Sequence, residues 1–104
     1  MSGQRASRVR AAVVQASPVL FDQAGTLEKV VTLTARAREG GADLVLFPEA
    51  FVGGYPWGLA FGTAVGGRTP EGRRTWARYR ANAVEVPGPG TARLGEAAEA
   101  AGVP

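Results

Sequence analysis

The residue best placed to do chemistry is Glu49, in the stretch Asp43-Leu44-Val45-Leu46-Phe47-Pro48-Glu49-Ala50-Phe51. Leu44 to Phe47, an apolar run between Asp43 and Pro48, reads as a short strand buried on both faces. Pro48 lacks the N–H that a sheet ladder needs and keeps Phe47 extended, so the strand stops there. Glu49 then falls just past the carboxyl end of a strand, where open α/β sheets place their ligands. Flanked by Phe47, Ala50 and Phe51, its carboxylate is expected to be buried and poorly solvated, the setting of a general base. The same spacing also suits a helix N-cap, or a strand-end carboxylate paired with an arginine.

The chemistry that is missing narrows the field. Cys and His are both absent. The 104 residues therefore offer no disulfide, no cysteine nucleophile, no Ser-His-Asp triad and none of the usual zinc sites. No metal and no cofactor are expected. Lys29 is the only lysine, and the helical spacing puts it on the solvent face, about 200° around from Leu27.

The elements that must hold Glu49 are read on either side of it. Val9 to Ala16 forms a first strand, closed by Ser17-Pro18. Asp22 is an N-cap, and Leu27, Val30, Val31, Thr34 and Ala37 recur at helical spacing. Gly40-Gly41 ends that helix with the positive φ values a C-cap needs. Strand, helix and strand with short connections make a βαβ unit, hence two parallel strands and a right-handed crossover. Glu49 then shares a sheet edge with Gln15 to Pro18.

Downstream, 52–70 carries six Gly and two Pro and reads as a loop bearing Tyr55, Trp57 and Phe61. Glu71 to Ala83 reads as a helix with Trp76, Tyr79 and Ala83 on one face. Thr91 caps a last helix that runs to Ala101 and stops at Gly102. Two strands with three helices make a narrow sheet, so the chain reads as the opening part of a larger α/β domain.

Composition sets the class. At 45% hydrophobic and 20% charged the chain is globular. A net charge of +3 is weak evidence for nucleic acid. Arg73, Arg74, Trp76, Arg78, Tyr79 and Arg80 mix cations with aromatics as single-strand binders do, but their spacing is that of an ordinary amphipathic helix, with Arg74 and Arg78 pointing away from the aromatics. No nucleic-acid partner is expected. Pro87-Gly88-Pro89-Gly90-Thr91 opens a helix without the spacing or the lysine of a phosphate loop. No apolar run is long enough to span a bilayer and no apolar segment follows the basic N-terminus, so no membrane partner is expected and a cytoplasmic location follows by default.

Phe47-Pro48-Glu49-Ala50-Phe51 followed by Gly54-Tyr55-Pro56 resembles the first catalytic segment of the nitrilase, or carbon–nitrogen hydrolase, superfamily. Val14-Gln15-Ala16 is similar to its opening strand. Thr26-Leu27-Glu28-Lys29 and Gly41-Ala42-Asp43 are similar to its first helix and turn. Gly72-Arg73 and 82–89 carry the likeness through the second half, and Gly-Tyr-Pro favours the nitrilase branch.

The resemblance implies an α/β fold that is the N-terminal part of an αββα sandwich, within a homo-oligomer. It implies a small nitrile or amide substrate, hydrolysed to acid and ammonia through a Glu, a Lys and a Cys. Only Glu49 matches that triad, as the base that takes the thiol proton, and Tyr55 matches a tyrosine lining the substrate pocket. The expected organisation is a disordered tail at 1–7 and a partial, C-terminally truncated domain at 8–104, inactive alone. The alternative is a small non-catalytic α/β binding or interaction module.

Overall fold

A computed structural model describes residues 8–55 and 69–103. The expected tail at 1–7 lies outside the described residues, as do Trp57, Phe61 and most of the expected loop. The order is β1 (Ala11–Val13), α1 (Gln23–Glu39), β2 (Leu44–Leu46), α2 (Pro70–Ala81) and α3 (Pro89–Ala101).

The strands are parallel, with Ala11, Ala12 and Val13 opposite Leu44, Val45 and Leu46. The Asp43 N–H donates to the Arg10 carbonyl at 2.7 Å, and the Arg10 N–H donates to the Asp43 carboxylate at 3.0 Å. This reciprocal pair fixes the register at the amino end. The Val14 N–H donates to the Leu46 carbonyl at 2.9 Å and continues the ladder past β1.

Asp22 caps α1 as its residue type predicts: its carboxylate accepts the Gly25 N–H at 2.9 Å. The buried side of α1 is Thr26, Leu27, Val30 and Thr34. Thr26 is fully buried, and its hydroxyl works in both directions. It accepts the Val19 N–H at 2.9 Å and donates to the carbonyls of Val19 (3.1 Å) or Asp22 (3.0 Å). The loop leaving β1 is thereby tied to the helix that follows it. At the far end of α1, only Gly41 has positive φ (+92°); Gly40 stays at −78° and merely extends the last turn. The expectation of two left-handed glycines is half met, because one such residue suffices to reverse the chain into β2.

The α3 helix packs along α1. Leu27, Val30, Ala97 and Val103 are buried, and the Arg93 guanidinium grips both carboxylate oxygens of Glu28 at 3.1 and 3.2 Å. Hydrogen bonding to Glu28, and then its charge, raises the Arg93 pKa. The N-cap of α3 is Gly88 rather than Thr91. Thr91 sits inside the first turn, where its hydroxyl accepts the Gly88 N–H at 3.0 Å. Gly102, at φ +70°, ends the helix in the left-handed conformation expected of it. The α2 helix starts one residue early, because Thr69 caps it by accepting the Gly72 N–H at 2.9 Å, and its last helical residue is Ala81, short of Ala83.

One expectation fails. β2 is not buried on both faces: Leu44 is 40% and Leu46 58% exposed, and Val9 and Val13 of the first strand are exposed beside them. Side chains alternate along a strand, and the helices cover only the side carrying Ala12, Val14, Val45 and Phe47. The other face of the two-stranded sheet has no layer over it among the described residues.

Candidate active site

β2 delivers Glu49 into a tight turn. The Phe51 N–H returns to the Pro48 carbonyl at 3.2 Å, and the Gly54 N–H to the Ala50 carbonyl at 2.8 Å. Ala50 is left-handed, at φ +58°, which an L-residue adopts only at a cost. Strain therefore sits immediately beside the carboxylate. Gly54, at φ +70°, makes the second reversal. A Cβ there would lie 3.4 Å from Leu20 and 3.6 Å from Pro18, so the turn after β2 packs closely against the loop after β1.

The two strand ends border an open groove of about 700 Å³, lined by Val13 to Ser17 and Leu46 to Glu49. Its location is the expected one, past the carboxyl ends of both parallel strands. The burial expected of Glu49 is not found, because the residue is exposed. Phe47 and Phe51 pack on each other at 5.5 Å between centroids, with Phe51 buried, and leave the carboxylate in solvent. Val13 and Leu46 belong to the uncovered sheet face, so that face runs directly into the groove. Glu49 therefore lies past the strand end as expected, but its carboxylate is not desolvated.

Lys29 is not on the solvent face. It is half-buried, and its ammonium donates to the Ser17 carbonyl at 2.6 Å, at the end of β1. A four-carbon stem lets a lysine reach around a helix, which angular position alone does not show. Thr26 escapes the sequence reading for a different reason: a threonine beside a leucine breaks the apolar stripe, and only the buried backbone groups it serves explain its place.

Tyr55 is 51% exposed and does not line the Glu49 groove. Its ring meets Tyr79 of α2 edge-on, at 6.3 Å and 80°. Arg78, though exposed, stacks over the Phe21 ring at 4.0 Å, and Arg80 lies 5.9 Å from the Trp76 ring. Arginine packs on aromatic faces as readily as it solvates. Among the described residues, no group of three or more acidic, His or Cys side chains could hold a metal ion. Nor is any helix among them long and apolar enough to cross a membrane.

The βαβ unit thus places a glutamate in the turn after its second strand, the region where open α/β sheets bind ligands. The carbon-nitrogen hydrolase family matches residues 10–104, and the chain belongs to that family. It is 50% identical over 97 residues to an aliphatic nitrilase of Sinorhizobium fredii (strain HH103), covering 93% of this chain and 32% of that protein. It is 51% identical over 86 residues to a bifunctional nitrilase/nitrile hydratase of Nicotiana tabacum, covering 83% and 25%. With nitrilase 3 of Arabidopsis thaliana it shares 50% over 92 residues, covering 88% and 27%. The chain spans about a quarter to a third of the length of these curated relatives.

Proposed function

We propose that this chain is the N-terminal part of a nitrilase-like αββα domain and contributes Glu49 as the general base of nitrile or amide hydrolysis. The observation that carries the reading is the position of Glu49 in a strained turn past β2, opening on the groove at the ends of both strands. Family membership supplies the chemistry. The Glu49 carboxylate takes the proton of a cysteine thiol, and the thiolate adds to the nitrile carbon, whose nitrogen takes up a proton to give a thioimidate. Water then releases ammonia, and a second water releases the acid and restores the thiol. A lysine ammonium balances the negative charge as it develops.

The 104 residues hold no Cys, and their one lysine is tied to the Ser17 carbonyl. Thiol and ammonium are therefore supplied by polypeptide outside these 104 residues, which alone are inactive. The layer that supplies them also covers the Val13 and Leu46 face and dries the groove around Glu49. In the assembled enzyme the partner is a small nitrile or amide, and the subunits form homo-oligomers.

A chimera tests this. The matching 97-residue segment of the S. fredii aliphatic nitrilase is replaced by that of this chain, and ammonia release from aliphatic and aromatic nitriles is measured. Turnover is expected, and Glu49→Gln should lower it by at least about a hundredfold with the fold unchanged. A chimera that folds and turns over equally well after the Glu49→Gln substitution would reduce Glu49 to a structural role.

The exposure of Glu49 favours a second reading, that of a non-catalytic module. It predicts that the chimera folds without hydrolysing any nitrile.

A further inference from the structure

From the C-terminal half of α2 we infer a second ligand site, separate from the Glu49 groove, that takes a single-ring aromatic carboxylate. The inference does not rest on the nitrilase reading.

Trp76, Tyr79 and Arg80 stand at i, i+3 and i+4 on α2, so they share one face of the helix. With Gly53 and Ala83 they line a cavity of about 240 Å³. The cavity's frame is pinned from two directions. The Asn82 side-chain amide donates to the Gly53 carbonyl at 3.1 Å, which ties the turn after β2 to the end of α2. The Gln23 amide donates to the carbonyls of Asn82 and Ala83 at 3.0 and 3.2 Å, which ties the same end to α1. The edge-on contact of Tyr55 with Tyr79 extends the aromatic wall.

The chemistry of the lining selects the ligand. Trp76 is 48% exposed, a large apolar ring left half in water. Arg80 is exposed beside it and, among the described residues, has no carboxylate partner. A flat apolar wall next to an unneutralised planar cation fits a planar anion whose ring lies on the indole and whose carboxylate meets the guanidinium. The size fits. A closed cavity of about 150 Å³ holds benzene, so 240 Å³ has room for one ring with a carboxylate. Phosphate or nucleotide is disfavoured, since one guanidinium at an apolar wall is a poor cradle for several phosphate oxygens.

The test is a titration of the full chain with benzoate, followed by two-dimensional amide NMR. Benzamide and cyclohexanecarboxylate serve as comparison ligands that lack the charge and the aromatic face respectively. Benzoate is expected to shift the Gly53 and Ala83 amides and the Trp76 indole N–H, saturating in the millimolar range. It should bind about fivefold more tightly than either comparison ligand. Arg80→Gln should abolish the preference for benzoate over benzamide, and Arg80→Lys should retain most of it. Trp76→Leu should remove the preference over cyclohexanecarboxylate. Arg80 is exposed, so its variants keep the helix, which far-UV circular dichroism checks. Equal binding of benzoate and benzamide, an undiminished preference in Arg80→Gln, or no shift at Gly53 and Ala83 would overturn the assignment. No turnover is measured, so these results stand apart from the fate of Glu49.

Discussion

Replacing Thr26 by valine removes one hydroxyl and nothing else of consequence, because the two side chains have nearly the same shape. The site is fully buried, so neither steric relief nor exposure complicates the reading. Two bonds are lost: the one accepted from the Val19 N–H at 2.9 Å, and the one the single hydroxyl proton donates to the carbonyl of either Val19 (3.1 Å) or Asp22 (3.0 Å). Both carbonyls keep a backbone donor, Asp22 the Thr26 N–H and Val19 the Asp22 N–H, so the loss on that side is minor. The Val19 N–H has no second acceptor among the described residues. A buried donor left unpaired costs about 1–3 kcal/mol. Val19 is itself 36% exposed, so water partly replaces the hydroxyl and the lower half of that range applies, about 1–2 kcal/mol. For a domain of this size, each kcal/mol lowers the Tm by about 4–8 °C. Urea unfolding followed by circular dichroism measures the loss, and Thr26→Ser is the control that keeps the hydroxyl and gives up a methyl group. Thr26→Val as stable as the parent, or less harmful than Thr26→Ser, would refute the reasoning, because packing and not hydrogen bonding would then fix the loop after β1.

Ala50→Gly should raise stability by about 0.5–1 kcal/mol in the same assay, since relief of the left-handed strain exceeds the added chain entropy. Asp22→Ala should cost about 1 kcal/mol through the lost N-cap, and Asp22→Ser should restore most of it. A double-mutant cycle on Glu28→Gln and Arg93→Gln should show a small coupling that vanishes in molar salt, because both side chains are solvent-accessible. Lys29→Met should shift the amide resonances of Ser17 and its neighbours while leaving those of α3 in place, since its ammonium bonds the Ser17 carbonyl.

Signals in the sequence are legible where their causes are local. Asp22 caps α1 through its own carboxylate, Gly102 stops α3 by its own φ, and the parallel pairing follows from a strand, a helix and a strand joined by short turns. What depends on neighbours is not legible. The apolar run at Leu44 to Phe47 states what the strand can bury against, and the structure places a layer on one side only. Glu49 follows the same rule: apolar residues adjacent in sequence desolvate a carboxylate only if they fold over it, and Phe47 and Phe51 fold onto each other. Lys29 is misplaced by its helical angle because that angle locates a Cα, while the ammonium lies several bonds away.

The crossover has a further consequence, for the order in which the chain folds. The reciprocal bonds of Arg10 and Asp43 join residues 33 apart in sequence, and 17 of the residues between them lie in α1. Closing a floppy loop of that length is entropically harder than closing one half as long, by about 0.6 kcal/mol. A preformed α1 acts as a strut about 25 Å long and shortens the flexible path to its two short linkers. Strand pairing then becomes a search over the linkers 14–22 and 40–43 alone. On this view the Asp22 cap governs how fast the sheet closes as well as how stable it is. Asp22→Ala should slow refolding in stopped-flow mixing more than it speeds unfolding; the opposite partition would mean that the strands meet before the strut exists.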